Sequence, residues 1–364
     1  MKRIRVLALA SYPVEAASSR HRIVQFIEPL ARRGIDVTFS PFLDATLFAA
    51  LYEPRKFLAQ LPRLAIRTLL RLGTPFRAAR ADVVFIQREA MLFGPPVIES
   101  LIRRPIVLDL DDATWISAAS PVYGRLASLL KWPSKADWLI RRARIVTCGS
   151  PNVAAYAESC GSEAVVIPTV VDTRRFRPRP SREGGIPPRE SGIPTIGWIG
   201  THSTFKFVER LLPLFERLAR DTPFRLMIIG SGRDGIRIPG VDVETRAWTM
   251  EREIDDFQSI DIGIYPIADD EWSAGKSGFK AVQYMATGVP FVMSPVGVCA
   301  TMGVPSTTHF CAITDDEWLD ALRTLVADAA LRERMSIAGR AFAEAHYDVE
   351  PHADALAAAI RKYV

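Results

Sequence analysis

The stretch Gly263-Ile-Tyr-Pro-Ile-Ala-Asp-Asp-Glu-Trp-Ser-Ala-Gly-Lys-Ser-Gly-Phe-Lys-Ala-Val-Gln-Tyr-Met-Ala-Thr-Gly-Val-Pro290 decides the fold class. Its apolar start predicts a strand that ends at Tyr265-Pro266, and an acidic loop follows. A helix is predicted from near Ser277 to Gly288, because glycine favours the position just past a helix end. The next run, 290–293, indicates a buried strand. Strand, loop, helix and strand in this order form the repeating unit of a parallel sheet.

Two lysines give this unit an unusual charge. Lys276, Lys280 and Gln283 are predicted to share one helical face, at spacings of four and three. Lysines four apart repel by roughly 0.2–0.5 kcal/mol, and cations at a helix N-terminus oppose its dipole by roughly 0.3–1 kcal/mol. A bound anion reverses both penalties, because free N–H groups at a helix start suit a phosphate. The pattern favours a phosphate site over the alternative of two solvated surface lysines.

Length and composition indicate a globular protein of two domains. At 364 residues the chain is too long for one ordinary core. With 48% hydrophobic and 24% charged residues it does not resemble a disordered chain. The formal charge of +5 is spread over interspersed acids and bases, which argues against nucleic acid as a partner. The short apolar N-terminus indicates a first strand rather than a signal peptide, so we expect a cytoplasmic protein.

A β/α alternation in both halves predicts an α/β fold of two doubly wound, Rossmann-like domains. The strands predicted in the first half are Val6–Ala10, Ile35–Phe39, Val83–Ile86, Ile106–Leu110, Ile145–Cys148 and Ala164–Ile167. A helix capped by Ser19 is predicted from about Arg20 to Arg33. Residues 177–194 are rich in Pro, Gly and charge and predict a linker. We expect an N-terminal domain over 1–176, a C-terminal domain over 195–345 and a final helix over 346–364.

Three polar groups follow strands of the first half, where ligands bind in such sheets. Each alone fits a helix cap or a surface ion pair, but three together indicate a binding site. Its candidate residues are Arg20, Arg22, Arg88, Asp111 and Asp112. Asp109 and Asp111 also form an Asp-x-Asp, a pattern that can hold a divalent cation. Because Asp109 should lie inside a strand, we predict no metal.

The second half offers two further candidates. The turn Gly200-Thr-His-Ser-Thr204 follows the predicted strand 195–199 and leads into a helix, so it suits a phosphate, although the dinucleotide pattern GxGxxG is absent. Trp248 either stacks on a base or fills the core, and a single tryptophan favours the core.

The segment Leu61–Leu72 predicts an amphipathic helix. Leu61, Leu64, Ala65, Thr68 and Leu72 are expected on one face, and Arg63, Arg67 and Arg71 on another. With Arg55 and Lys56 just before it, such a helix suits an anionic membrane surface. The alternative is an ordinary helix packed on the sheet, with its arginines in water.

Several of these motifs together resemble glycosyltransferase family 4, which has the GT-B fold of two Rossmann-like domains with a cleft between them. The resemblance covers nearly the whole chain and is carried by Ser18-Ser-Arg-His-Arg22, Phe85-Ile-Gln-Arg-Glu89, Leu108-Asp-Leu-Asp-Asp-Ala113, Ile167-Pro-Thr-Val-Val-Asp172, Ile196-Gly-Trp-Ile-Gly200 and the opening stretch through Gly297. It implies transfer of a sugar from a nucleotide-sugar donor, with retention of configuration. The donor is expected in the C-terminal domain and the acceptor nearer the N-terminal one, where Arg20, Arg22, Arg88 and Asp112 are the predicted acceptor-binding residues. The final helix is expected to pack back on the first domain.

The chain departs from the family pattern at the catalytic positions. The family usually has two glutamates eight positions apart, and Gly275 and Gln283 take those places here. Its usual histidine near the sugar aligns with Asp111, which we expect as a polar or acid/base partner. Acidic residues of the nearby loop, 269–271, are candidates for the missing carboxylate. The resemblance implies donor contacts from Gly200, Thr201, Lys206, Trp248, Gly275, Ser277, Gly278 and Gln283. Asp111, Lys276 and Lys280 are the predicted catalytic residues.

The sequence thus predicts a hexosyltransferase of cell-surface polysaccharide biosynthesis. It would act on a glycan or lipid-linked acceptor, with peripheral contact to the inner face of the cell membrane as an open alternative. No cofactor or metal is required if lysines and helix N–H groups stabilise the departing nucleoside diphosphate. Two other functions remain: a nucleotide-sugar epimerase, and a non-catalytic GT-B protein that binds nucleotide, suggested by the lost glutamates.

Overall fold

The structure, a computed structural model, describes residues 3–51, 53–116, 132, 134–180 and 192–364. It divides into two compact units. Unit 1 comprises Met1–Val170, Gly275–Ser277 and Val349–Val364, and unit 2 comprises Val171–Ala274 and Gly278–Asp348. Each unit contains one parallel six-stranded sheet with helices, which confirms the predicted α/β class. Most of the predicted linker, residues 181–191, lies outside the described residues.

The sheet of unit 1 has the strand order β2-β1-β3-β4-β5-β6, with every pair parallel. Its strands are β1 (Ile4–Ala10), β2 (Ile35–Pro41), β3 (Val83–Gln87), β4 (Ile106–Leu110), β5 (Ile145–Cys148) and β6 (Ala164–Val166). Helices cover both faces, so β3 and β4 are apolar nearly throughout and buried at every position. From β1 the chain adds β2 on one side and then β3 to β6 on the other side, so the order of the strands reverses between β1 and β3. Ligands bind at such a switch point.

The helices of unit 1 are mostly short. They are α1 (Ala17–Arg22), α2 (Ile27–Arg32), α3 (Ala45–Ala50), α4 (Pro54–Ala59), α5 (Leu61–Leu72), α6 (Thr74–Ala79), α7 (Val97–Ser100), α8 (Lys135–Arg142), α9 (Pro151–Ser159) and α17 (Val349–Arg361). The final helix, α17, contacts α2, where Arg33 Nε lies 2.6 Å from Asp354 Oδ1.

The single helix predicted from Arg20 to Arg33 was wrong in detail. The structure has α1, a 3-10 turn at Val24–Phe26 and α2 instead. Ser19 lies inside α1, where its hydroxyl donates to the Tyr12 carbonyl oxygen at 2.7 Å and caps nothing. A serine can bond to a nearby backbone oxygen from several positions, so its presence does not fix a helix start.

Helix α5 forms as predicted, but its arginines face the protein. Arg67 Nε donates to the Phe42 carbonyl oxygen at 2.7 Å, and Arg71 Nη2 donates to that of Ala10 at 2.9 Å. Burial, together with repulsion from Arg67, lowers the pKa of Arg71 to about 9. These carbonyl groups lie at and just beyond strand ends, and that of Ala10 also accepts the backbone N–H of Phe42 at 2.8 Å. Leu61, Leu69, Leu70 and Leu72 are exposed, whereas Leu64 is half-buried and packs on the apolar cluster that contains Phe42 and Leu47.

The sheet of unit 2 has the order β12-β11-β10-β7-β8-β9, again all parallel. Its strands are β7 (Thr195–Ile199), β8 (Arg225–Ile229), β9 (Asp242–Arg246), β10 (Ile262–Tyr265), β11 (Phe291–Met293) and β12 (Phe310–Cys311). The switch point lies between β7 and β10. Its helices are α10 (His202–Glu209), α11 (Leu212–Leu218), α12 (Glu253–Gln258), α13 (Glu271–Ala274), α14 (Phe279–Ala286), α15 (Asp315–Ala327) and α16 (Ala329–His346), with a 3-10 turn at Gly297–Thr301.

The helix predicted from Ser277 begins two residues later, at Phe279. Gly278 precedes it with φ +67°, a left-handed conformation that glycine adopts without steric cost. Lys276 therefore lies outside the helix, and the predicted helical spacing between Lys276 and Lys280 was wrong. Lys280 and Gln283 do share the first turns of α14. None of the helices in the described ranges combines the length and apolarity needed to cross a bilayer.

Candidate active site

Asp111 and Arg88 form the centre of the polar group at the switch point of unit 1. Arg88 follows β3 with φ +60°, which is uncommon for a residue with a side chain. From this backbone its guanidinium binds both oxygens of Asp111, with Nε–Oδ1 at 2.6 Å and Nη2–Oδ2 at 2.8 Å. It also donates to Asp112 Oδ2 at 2.9 Å, and Gln87 Nε2 donates to Asp111 Oδ1 at 3.0 Å. The left-handed backbone of Arg88 thus places its guanidinium group in contact with both the Asp111 and the Asp112 carboxylates.

The charge state of Asp111 follows from two opposing effects. Burial acts to raise the pKa of its carboxyl group. The attraction and hydrogen bonds of the Arg88 guanidinium outweigh burial, so the pKa of Asp111 lies below its ordinary value. At neutral pH Asp111 is a carboxylate, which accepts protons and stabilises positive charge but does not donate a proton.

The other two predicted acceptor residues of unit 1, Arg20 and Arg22, face its interior. Arg22 forms a buried ion pair with Asp109, with Nη2–Oδ1 at 2.5 Å, and only 2% of each side chain is exposed. Its Nη1 donates to the Ile167 carbonyl oxygen at 2.6 Å. Arg20 donates to the carbonyl oxygen of Val14 at 3.1 Å. From the sequence, both arginines were predicted to bind a ligand because they follow a strand. The sequence did not show that their hydrogen-bond partners are residues of unit 1 itself.

Gly275 has no room for the side chain that the family pattern places there. A Cβ atom built on Gly275 would lie 2.3 Å from the Cβ atom of Ala113. Both residues belong to unit 1, as do Lys276 and Ser277. The backbone N–H of Ser277 donates to Asp112 Oδ1 at 3.4 Å. The predicted site residues Lys276 and Ser277 are therefore grouped with Asp111 and Asp112.

The remaining predicted donor residues gather at the carboxyl edge of the sheet in unit 2. Gly200 and Thr201 follow β7, and Thr201 caps α10 in a reciprocal capping box with Thr204. Gly230, which follows β8 with φ +78°, packs on this turn, because a Cβ atom there would lie 2.2 Å from the Gly200 carbonyl oxygen. The half-buried Trp248 lies against the same glycine. Two glycine turns and the Cβ atom of Trp248 therefore meet at the carboxyl ends of β7 and β8.

Two lysines of unit 2 lie against aromatic rings. Lys280 Nζ is 5.9 Å from the ring centroid of Tyr265, the last residue of β10. Lys206 Nζ is 4.9 Å from the ring of Phe207 and 5.9 Å from that of Trp272. Contacts of this kind attract an ammonium group to the face of the ring and so orient it. The two cations thus come from the elements that follow β7 and β10, on either side of the switch point.

A buried carboxylate accompanies Gln283. Gln283 Nε2 donates to Glu253 Oε1 at 3.3 Å, and the two residues are 5% and 3% exposed. Glu253 begins α12, which the sequence reasoning did not predict. The only signal was the mixed acidic and basic run Glu251-Arg-Glu-Ile-Asp-Asp256, which resembles an ordinary surface helix.

The acidic loop after β10 has a structural use. Asp270 Oδ1 accepts the backbone N–H of Ser273 at 2.7 Å and so caps α13. Asp269 lines a cavity of about 130 Å³ together with Arg210 and Ser294. These contacts give the proposed substitute carboxylates a local role but leave their part in catalysis a prediction.

Comparisons with known proteins agree with this two-unit architecture. Residues 193–328 match the family model described as Glycosyl transferases group 1. No curated protein sequence matches the chain. Sucrose-phosphate synthase from Thermosynechococcus elongatus is similar in structure, with a TM-score of 0.67 and 14% identity over 99% of both chains. A glycosyltransferase from Rickettsia africae is similar with a TM-score of 0.69 and 11% sequence identity, over 100% of this chain and 98% of that protein's chain. Anabaena HepE in complex with UDP is similar with a TM-score of 0.65 and 16% sequence identity, over 100% of both chains.

Proposed function

We propose that this chain, which is a glycosyltransferase with the GT-B fold, transfers a hexose or deoxyhexose from a nucleotide sugar to a glycan or lipid-linked acceptor. Membership of family 4, retention of configuration and a role in cell-surface polysaccharide synthesis belong to this proposal. One observation carries it: Lys206 and Lys280 flank the switch point of unit 2. The similar structure of HepE was solved with UDP and with UDP-glucose, which supports a nucleotide-sugar donor.

The lysines supply what the departure of a nucleoside diphosphate requires. Negative charge builds up on the diphosphate oxygen as the bond to the sugar breaks, and fixed cations stabilise that charge. Lys280 lies in the first turn of α14, where the helix dipole also favours an anion. We therefore assign the diphosphate to this helix start and the base to the side of Trp248, and we propose no metal.

In unit 1 we assign the acceptor side to Arg88 and Asp112, and the reacting centre to Asp111. The ionised Asp111 suits two tasks in a sugar transfer. It can stabilise the positive charge that develops on the donor sugar, or accept the proton of the attacking hydroxyl. Arg20 and Arg22 then support the site from inside unit 1.

Donor turnover tests the proposal. The protein is incubated with UDP-, GDP-, ADP- and dTDP-sugars, and free nucleoside diphosphate is measured, with thermal shifts recorded in parallel. We expect one nucleotide series to stabilise the fold, because a ligand at 100 times its Kd adds about 2.7 kcal/mol, and one of its sugars to be turned over. Tight nucleotide binding without turnover of any donor would instead support the non-catalytic alternative.

A second part of the proposal concerns the outer face of α4 to α6. Seven large apolar side chains lie exposed there, from 46% for Leu61 to 78% for Phe76. They are Leu58, Leu61, Ile66, Leu69, Leu70, Leu72 and Phe76. Residues 54–80 contain seven basic residues and no acidic one. Arg67 and Arg71 turn into the protein, but Arg55, Arg77 and Arg80 are exposed. An apolar face beside such charges fits an anionic lipid surface, so we propose peripheral attachment at the inner face of the cell membrane.

We expect the protein to co-sediment with vesicles containing phosphatidylglycerol and to bind neutral vesicles much less. Replacing Ile66 and Leu69 with Asp should lower the partition coefficient at least tenfold, because burying one such side chain contributes about 1.5–3 kcal/mol. Ile337→Asp is a matched control, since Ile337 is 64% exposed in unit 2. If both variants bind vesicles as the wild type does, the apolar face is not the attachment site. A concentration-dependent dimer that the Ile66/Leu69 variant loses would assign the face to a second copy.

A further inference from the structure

The turn that carries Arg88 is strained. Arg88 has φ +60°, and across it the backbone N–H of Glu89 donates to the Gln87 carbonyl oxygen at 2.7 Å. A three-residue turn with this hydrogen bond and a positive φ at its centre is rare and strained. For a residue with a side chain, such a conformation persists only where the surroundings fix it. The contacts that fix this turn therefore also set the direction of the Arg88 guanidinium.

Two buried charged side chains hold the segment 89–91, directly after the turn. Glu99 Oε1 accepts the backbone N–H of Ala90 at 3.0 Å. Lys135 Nζ donates to the carbonyl oxygen of Met91 at 2.6 Å. The side chains of Glu99 and Lys135 are 0% and 3% exposed, and they come from α7 and from the first residue of α8. Two helices of unit 1 thus hold neighbouring backbone groups of one short segment.

The two side chains are also paired with each other. Lys135 Nζ lies 3.5 Å from Glu99 Oε1 and 3.4 Å from Glu89 Oε2. A buried ion pair contributes little net stability, because both charges lose their hydration, yet loss of one partner is strongly unfavourable. Each charge must therefore keep its partners, and these include backbone groups of the segment 89–91. Such a pair fixes the position of the segment more than it stabilises the fold.

We infer that Glu99 and Lys135 are positioning residues for the sugar transfer, because they fix the turn that directs the guanidinium of Arg88. Arg88 in turn binds both carboxylate oxygens of Asp111, the proposed reacting centre. The inference rests on the proposed function, since it requires Asp111 to take part in turnover. It assigns a use to two charges that lie inside unit 1 and outside the predicted site.

A loosened turn should change the charge state of Asp111. The charged groups around this carboxylate are Arg88, Arg22, Asp109 and Asp112. Burial acts to raise the pKa of Asp111, and the Arg88 guanidinium is the strongest influence that lowers it. If Arg88 is held less firmly, the pKa of Asp111 rises, because burial and the nearby carboxylates remain. Since turnover needs the carboxylate, the acidic limb of the pH–rate profile then moves to higher pH.

The double variant Glu99→Met/Lys135→Met separates positioning from stability. It removes both contacts to the segment 89–91, but replacing a buried ion pair by apolar side chains of similar size is often neutral for stability. We expect a melting temperature close to that of the wild type. With the best donor, kcat/KM at neutral pH should fall about tenfold or more, the effect of losing a hydrogen bond to a charged group. The acidic limb of its pH profile should move to a pH about one unit higher.

Two further variants serve as controls. Glu99→Gln keeps an oxygen that can accept the Ala90 N–H, so its kcat/KM should stay within about threefold of the wild type. Ile102→Ala removes an apolar side chain that is 1% exposed, in the core of unit 1. It should lower the melting temperature, because it leaves a cavity, and keep the wild-type pH profile.

Hydrogen exchange of the segment 87–92 gives a readout that does not depend on turnover. The backbone N–H groups of Glu89 and Ala90 should be protected in the wild type and exchange about tenfold faster in the double variant. If the double variant does not fold, the wild type still decides, since unprotected N–H groups there would show that the turn is not held.

A double variant with the wild-type pH profile would refute the inference and leave the proposed function intact. The same holds if Glu99→Gln loses as much turnover as the double variant, because the acceptor oxygen would then not matter. A wild type that turns over no donor would instead refute the proposed function, and the inference with it.

Discussion

Replacing Lys280 with Met should reduce donor turnover by a factor of about 10²–10³, the loss seen when one fixed donor to a developing negative charge is removed. The substitution keeps a long, unbranched side chain but removes the ammonium group that lies over the Tyr265 ring. Affinity for the nucleoside diphosphate should fall about 10- to 100-fold, because a hydrogen bond to a charged group contributes about 1.5–3 kcal/mol. Calorimetry and the release of nucleoside diphosphate from the best donor measure the two effects.

Lys280→Arg is the matched control, since it keeps the positive charge while changing its shape. We expect this variant to keep most of the nucleotide affinity and to turn over the donor more slowly than the wild type. The melting temperatures of both variants should stay close to that of the wild type, because Lys280 is only half-buried. If Lys280→Met binds nucleotide as tightly as the wild type, the diphosphate does not lie at the start of α14.

Asp111→Asn should lower the rate of donor turnover by a factor of about 10²–10⁴, the range for loss of a positioned general acid or base. Asparagine keeps the shape of the side chain and one oxygen that can accept from Arg88 or Gln87. Nucleoside diphosphate should bind to the variant within about twofold of the wild type, because the proposed nucleotide contacts lie in unit 2. The measurements are turnover with the best donor, nucleotide affinity and the melting temperature.

The pH profile separates a catalytic from a structural role of Asp111. Burial opposes ionisation, but Arg88 outweighs it and holds the pKa of Asp111 below its ordinary value, near 3.9 for an unperturbed aspartate. The carboxylate is thus present at neutral pH, and its protonation should reduce turnover only as the pH falls below about 4. A variant with unchanged turnover and a lower melting temperature would show that Asp111 only anchors Arg88.

The sequence predicted the strands well because their cause is local. Buried parallel strands are continuous apolar runs, and β4, β5 and β7 have the predicted boundaries. The helices were less well predicted, since the broken α1–α2 segment and the short α12 depend on contacts with distant parts of the chain. The bounds of α5 were correct, but its predicted apolar face was only partly so, because Leu64 and Thr68 are half-buried while Ile66, Leu69 and Leu70 are exposed. Periodicity shows that two faces differ but not which one meets the protein.

The candidate site was predicted in its residue types more than in its contacts. Asp111 and Arg88 were identified from their positions after strands, and Lys280 from its position near a predicted helix start. Asp111 and Arg88 pair just beyond the ends of β4 and β3, and Lys280 contacts Tyr265 at the end of β10. Glu253 was missed because its partner lies 30 positions away. The inward pairing of Arg22 with Asp109 was also missed, although both residues had been noted separately.

By itself the sequence determined the α/β class, the two doubly wound units and the lysine at the start of α14, because hydrophobic periodicity and helix-end chemistry depend on neighbours within a few residues. Only the tertiary structure decided that Asp111 is held as a carboxylate by Arg88, that Arg67 and Arg71 of α5 face the protein, and that Gln283 is paired with Glu253. Each of these results depends on charges and oxygen atoms brought together from separate elements. The burial of these groups and the distances between them set the charge state of Asp111 and the orientation of the side chains. Neither burial nor distance can be read from the local sequence.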